Sequence, residues 1–296
     1  MSGRELFGRA LRRGAQWRYL ILFLVIMLMP VGLAFVPMAS FLGSLFDHSP
    51  GAAALIARLD SHAFTEVLKQ LGEPSAQGVF TGAHAGLVFA AILAPALAGA
   101  AATLARTQDE PLRVRALLAG AGELYPRMLR MALVSLLPLG VAGVVAGLAF
   151  HFAGKSGDHA VVEATADRAM RLATGVSVLF FWLAHVTLEA GRAHLAAQPE
   201  RKSAFLAWWG GVRLVLRRPG KVLGLCLVTT VCGIGGALLV TALRNRLVQA
   251  GPGTIVLALL LSQLAIVAIA WGRSSRLVGL VLLVRDDGRV SPRKAP

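Results

Sequence analysis

The chain has 296 residues, of which 56% are hydrophobic and only 15% charged, with a mean hydropathy of +0.68. Water-soluble domains carry about 25% charged residues, so this composition excludes an ordinary soluble globule and predicts a polytopic membrane protein. The net charge of +15 would suit nucleic acid, but its placement between apolar stretches assigns it to membrane topology instead.

The first 18 residues bring Phe7, Ala10, Leu11, Gly14 and Trp17 to one helical face, with Arg9, Arg12 and Arg13 elsewhere. An apolar face with Trp, flanked by Arg, describes a helix lying in the headgroup plane. Positions 19–46 then run without an Asp, Glu, Lys, Arg or His, and about 20 apolar residues suffice to cross a bilayer as a helix. The apolar core is too long for a signal peptide and is expected to be a retained span. In all, six spans are predicted, at 19–42, 82–105, 128–151, 172–191, 222–243 and 253–271.

Between the first two spans, Ile56, Leu59, Ala63, Val67 and Leu71 recur at helical spacing, followed by Gly72 and Pro74. A short surface helix or cap is expected there. Ahead of the third span, Leu117, Ala121, Leu124 and Met128 form a second amphipathic stretch, preceded by Arg113 and Arg115. Ahead of the fifth, Phe205, Trp208, Trp209, Val212 and Val215 form a third, with Arg213, Arg217 and Arg218. The predicted fold is therefore an all-α bundle of six transmembrane helices, read as three units of interfacial helix plus helical hairpin. One transmembrane domain is drawn over 1–284, and 285–296 is expected to be a disordered tail.

Lys and Arg alternate sharply between the loops. The N-terminal, second, fourth and C-terminal connecting regions hold 23 of the 30, while the other three taken together are formally neutral. Basic short loops stay in the cytoplasm, so both termini are expected there, where the excess charge can attract anionic headgroups. Arg outnumbers Lys 25 to 5, and with abundant Ala, Gly and Leu this points to a high-GC bacterium and its inner membrane.

Glycines pair at four-residue spacing in Gly82/Gly86 and Gly143/Gly147, and cluster at Gly233, Gly235 and Gly236. Close helix packing is the expected use, with a substrate path as the alternative. Pro30, Pro37, Pro95 and Pro138 lie in or near spans and can kink them. Cys226 and Cys232 are too far apart in rotation along one helix to bridge or to hold a metal, and read as packing residues.

Glu189 is the one acid inside a predicted span. A carboxylate there normally faces protein and a partner. His185 and Arg192 share its helical face, and Arg273 and Arg276 reach a comparable depth if the last helix continues past its span. These five residues form either a structural ion pair at the headgroup boundary or a proton or anionic-headgroup site. Five histidines (His48, His62, His84, His151 and His159) lie towards the outer side near Asp47, Asp60 and Asp158. Their spacing matches no metal motif, so no metal is expected, and nothing in the sequence calls for a cofactor. Motifs for an activated serine, a zinc protease or a phosphate loop are missing as well, and catalysis is not expected.

The run Ala116-Leu117-Leu118-Ala119-Gly120 through Tyr125-Pro126-Arg127-Met128-Leu129, the stretch 204–218, and Arg273-Ser274-Ser275-Arg276-Leu277 together resemble the six-helix bacterial inner-membrane families. These include the YciC-like proteins and the membrane domain fused to some glycerophosphodiester phosphodiesterases. The resemblance implies an architecture and no particular activity. The expected role is a non-enzymatic organiser or accessory of a lipid or protein complex, with membrane lipids and a membrane protein or second copy as partners. A transporter or flippase for an amphipathic substrate is the alternative.

Overall fold

A computed structural model describes residues 3–46, 61–107, 112–158, 163–198, 200–201, 203–247 and 252–290. Among these the chain is helical and contains no strand. The helices are α1 (Gly3–Gly14), α2 (Trp17–Phe46), α3 (Ser61–Leu71), α4 (Gln77–Arg106), α5 (Val114–Val134), α6 (Leu136–Asp158), α7 (Glu163–Ala197), α8 (Ala204–Arg217), α9 (Pro219–Asn245) and α10 (Pro252–Val290). Six stretches are long and apolar enough to cross a membrane, and the chain is accordingly a multi-pass membrane protein.

The spans pair as three hairpins, α2 with α4, α6 with α7, and α9 with α10. Small residues set how closely they approach. A Cβ added to Gly82 would lie 2.9 Å from the Leu33 carbonyl, and one added to Gly86 would lie 2.7 Å from that of Pro30. Gly233 meets Gly272 in the same manner, its added Cβ 3.1 Å from the Gly272 Cα. These glycines are therefore packing residues. Gly143 and Gly147 have no neighbour within 4 Å, so the second hairpin is built without them.

The second helix of each hairpin faces the centre, where α4, α7 and α10 pack on one another. The main buried cluster is concentrated at the basic end, in 97–105 of α4, 186–196 of α7 and 270–284 of α10. Away from that end, burial falls mainly on alanines and on a small cluster of Phe41, Ala76 and Val79. Large apolar side chains such as Val25, Leu87, Val144 and Leu239 are instead exposed, as lipid-facing positions should be.

Each amphipathic helix docks on the second span of the preceding hairpin: α5 on α4, α8 on α7, and α1 on α10, which closes the circle. The second predicted stripe is buried as drawn, through Leu117, Ala121, Leu124 and Met128; in the first only Ala10 and Gly14 are buried, and the third is corrected. The docked faces are the small-residue ones, Leu6/Ala10/Gly14, Leu117/Gly120/Leu124 and Ala204/Ala207/Gly211/Leu214. Trp17, Leu118, Phe205 and Trp209 point outwards. Glycine and alanine let the backbones touch, which bulky residues on that face would forbid.

Two further expectations change. The second amphipathic stretch and the third span are not separate helices. α5 runs through the predicted start of the span and breaks at Ser135, leaving α6 to finish it. Pro138 has no N–H to give the carbonyl of Val134, and its ring crowds that carbonyl, so the ladder is interrupted at that turn. The last helix continues to Val290, so 285–290 are not a loose tail: Arg218 donates to Asp286 at 2.8 Å and meets Asp287 at 3.1 Å. Positions 291–296, and 56–60 of the predicted outer helix, lie outside the described residues.

Candidate functional site

The three docked helices form a collar around α4, α7 and α10, and the charged cluster sits inside it. α7 carries Glu189 between Thr187 and Gly191, the two residues that receive Gly211 of α8, whose added Cβ would lie 2.8 Å from the Thr187 carbonyl. The carboxylate is thus placed at the level of the collar. On α10, Ser274 donates to the Gly14 carbonyl at 2.8 Å and Trp271 to that of Leu11 at 3.0 Å. This fixes the turn that bears Arg273 and Arg276.

Glu189 is 4% exposed. Arg192 donates to its Oε1 at 2.7 Å, and the His185 Nε2 lies 3.6 Å from the same oxygen. Helical spacing of three and four residues produces both contacts. The positive charges of Arg276 and Arg273 also bear on this carboxylate. All five predicted site residues are therefore drawn together. The cluster holds three guanidiniums around one carboxylate, an imbalance that is expensive in a poorly hydrated setting.

Arg276 is 7% exposed and donates to Thr230 Oγ1 at 3.3 Å, while its buried Nε has no hydrogen-bond partner. Arg273 is exposed and lines two spaces. One is a cavity of about 20 Å³ closed by Tyr19, Phe23, Leu97 and Leu277, with Glu189 and Arg192 on its wall. The other is a groove of about 550 Å³ between α7, α9 and α10, where Phe181, Trp182, Ile234 and Ile269 provide an apolar floor leading to Arg276. Tyr19, Trp182 and Thr230 were not read from the sequence. They carry no spacing signal, because contacts between distant helices bring them to the cluster.

A third space of about 820 Å³ opens at the basic end beside α8, with His194, Arg201, Trp209, Arg213 and Arg217 on its rim. Of the predicted outer histidines, His84 and His151 have described side chains. His84 Nδ1 is paired with the Phe80 carbonyl at 2.7 Å, and His151 packs on Phe152. His48 and His159, with Asp47 and Asp60, lie outside the described residues, as does the side chain of His62. Among the described residues no three His, Cys, Asp or Glu side chains are grouped to hold a metal ion. Cys226 and Cys232 are both free thiols.

No family model, curated protein or solved structure matches this chain.

Proposed function

We propose that this protein is a bacterial inner-membrane protein, with both termini cytoplasmic, that organises or assists a lipid or protein complex. The collar supports this reading best. Three amphipathic helices, anchored by backbone contact to the three central spans, hold outward-facing apolar and aromatic side chains. Arg213 stacks over Trp209 and Arg18 over Trp17, the pairing of cation and aromatic that suits an anionic headgroup region. The charge excess is assigned to lipid, with no role for nucleic acid.

Purification into lipid nanodiscs, followed by mass spectrometry of everything retained, tests the reading. A stoichiometric protein partner or a defined lipid shell supports it; bulk lipid alone, with no partner, contradicts it. Reporter fusions at His159 test the orientation, which a cytoplasmic signal would overturn.

A second reading, transport or flipping of an amphipathic substrate, is favoured by the groove between α7, α9 and α10, which ends in guanidinium groups. Vesicles containing the protein and a fluorescent phospholipid would distinguish it, since only a flippase makes the inner-leaflet label accessible to an external quencher.

A further inference from the structure

We propose that the groove between α7, α9 and α10 is a binding site for one anionic phospholipid, its phosphate held by Arg276 and Arg273 and an acyl chain lying along Phe181, Ile234 and Ile269. This rests on the lipid-organising role above and gives it a specific ligand.

Three observations carry it. The charge balance is incomplete, because Glu189 already serves Arg192 at 2.7 Å. Arg276 and Arg273 therefore add two cations against a carboxylate that is in use. Arg276 is more than nine-tenths buried, lines the groove, and has a buried Nε without a hydrogen-bond partner. A guanidinium whose fork is only partly satisfied is suited to a phosphate, which accepts two parallel hydrogen bonds. Finally, the groove is amphipathic in the right sense. Its basic end bears Arg273, Arg276, His185, Thr229 and Thr230, and the remainder is apolar or glycine apart from the Trp182 indole. Phe181, Ile234 and Ile269 are each at least 40% open to their surroundings, so a chain can enter sideways from the bilayer without crossing a polar barrier. A free anion would satisfy the arginines and leave this apolar length unused.

The test is native mass spectrometry of the delipidated full chain in detergent, titrated with phosphatidylglycerol and, separately, phosphatidylcholine of matched acyl chains. One phosphatidylglycerol should be retained in clear preference to phosphatidylcholine. R273Q should weaken its binding about tenfold, the effect of one charge-assisted hydrogen bond. R276Q should weaken it further. I234W, which fills the apolar length and leaves both arginines in place, should also reduce occupancy. Arg273 and Ile234 are both exposed, so these two variants report on binding even where R276Q fails to fold. Equal retention of the two lipids, or unchanged binding in R273Q and I234W, overturns the site. Displacement of the lipid by inorganic phosphate alone would assign the arginines to a free anion and overturn the lipid. A partner retained in nanodiscs by wild type and R273Q alike, with no preference for phosphatidylglycerol, would remove the groove and leave the organising role intact. Lipid preference without any partner or lipid shell would do the reverse.

Discussion

The backbone of Gly14 lies directly against that of Ser275: a Cβ added to Gly14 would sit 2.6 Å from the Ser275 Cα and 2.6 Å from its nitrogen. A helix at the start of the sequence is thereby locked to the last one, 261 positions away. The same relation recurs between Gly99 and Ala121, and between Gly211 and Gly191. The three junctions close the units into a ring, with the ion cluster inside.

G14L should force α1 off α10. Overpacking of this kind typically costs about 1–3 kcal/mol, read as a lowered unfolding midpoint in detergent. Gly8 on the same helix has no neighbour within 4 Å, so G8A should be neutral or raise stability by up to about 1 kcal/mol through helix propensity. Equal effects of the two changes would show that α1 is not docked.

Removing the carboxylate leaves the guanidiniums facing one another. E189Q should destabilise the fold by about 3 kcal/mol, the cost of leaving buried charge uncompensated. Adding R273Q should recover part of that loss, since it removes one of the stranded cations. Chemical denaturation of the single and double variants measures the coupling. An E189Q protein as stable as wild type would mean that the cluster is not structural.

The end of α10 is tied down by Arg218, which reaches both Asp286 and Asp287. These groups are partly exposed, so D286N with D287N should cost less than about 1 kcal/mol globally. Its local effect should be larger: amide exchange over 285–290 should quicken while that of 275–284 stays slow. Uniformly slow exchange would show that the aspartates do not hold this turn.

P138A restores the missing N–H, and α5 and α6 should then run on as one helix. Amide exchange of residue 139 should slow relative to the rest of α6, and the new amide at 138 should be as protected as its neighbours. No change at this turn would place the cause of the break in packing around Ser135 instead.

Much of the architecture was legible because lipid enforces simple rules. Uncharged runs such as 19–46 must be helical spans, and the Arg-bearing stretches before the first, third and fifth spans already mark three units. The helical spacing of His185, Glu189 and Arg192 was enough to place them together, and the reach of Arg276 followed from extending α10. What escaped was set by contacts between helices. The bulky residues Phe205 and Trp209 dominate the third stripe in the sequence, yet small residues such as Gly120 and Gly211 set the docking, because close approach depends on what a side chain lacks. The order of 285–290 depends on Arg218, 68 positions before Asp286, and no local pattern announces it. Thr230 and Trp182 join the groove for a similar reason, through the packing of α9 and α7 against α10.

The closed ring is tested most directly by joining its two ends. The Cβ of Ala10 lies 3.2 Å from where a Cβ on Gly279 would be, near the separation a disulfide requires. A Cβ on Gly279 would also lie 2.5 Å from Leu225 Cδ2, so A10C with G279C is made together with L225A, in a chain whose Cys226 and Cys232 are changed to serine, and should oxidise in native membranes to an intramolecular bond. This would appear as a monomer of altered mobility that reverts on reduction. A pair that stays reduced, or links only between two copies, would contradict the closure of α1 on α10.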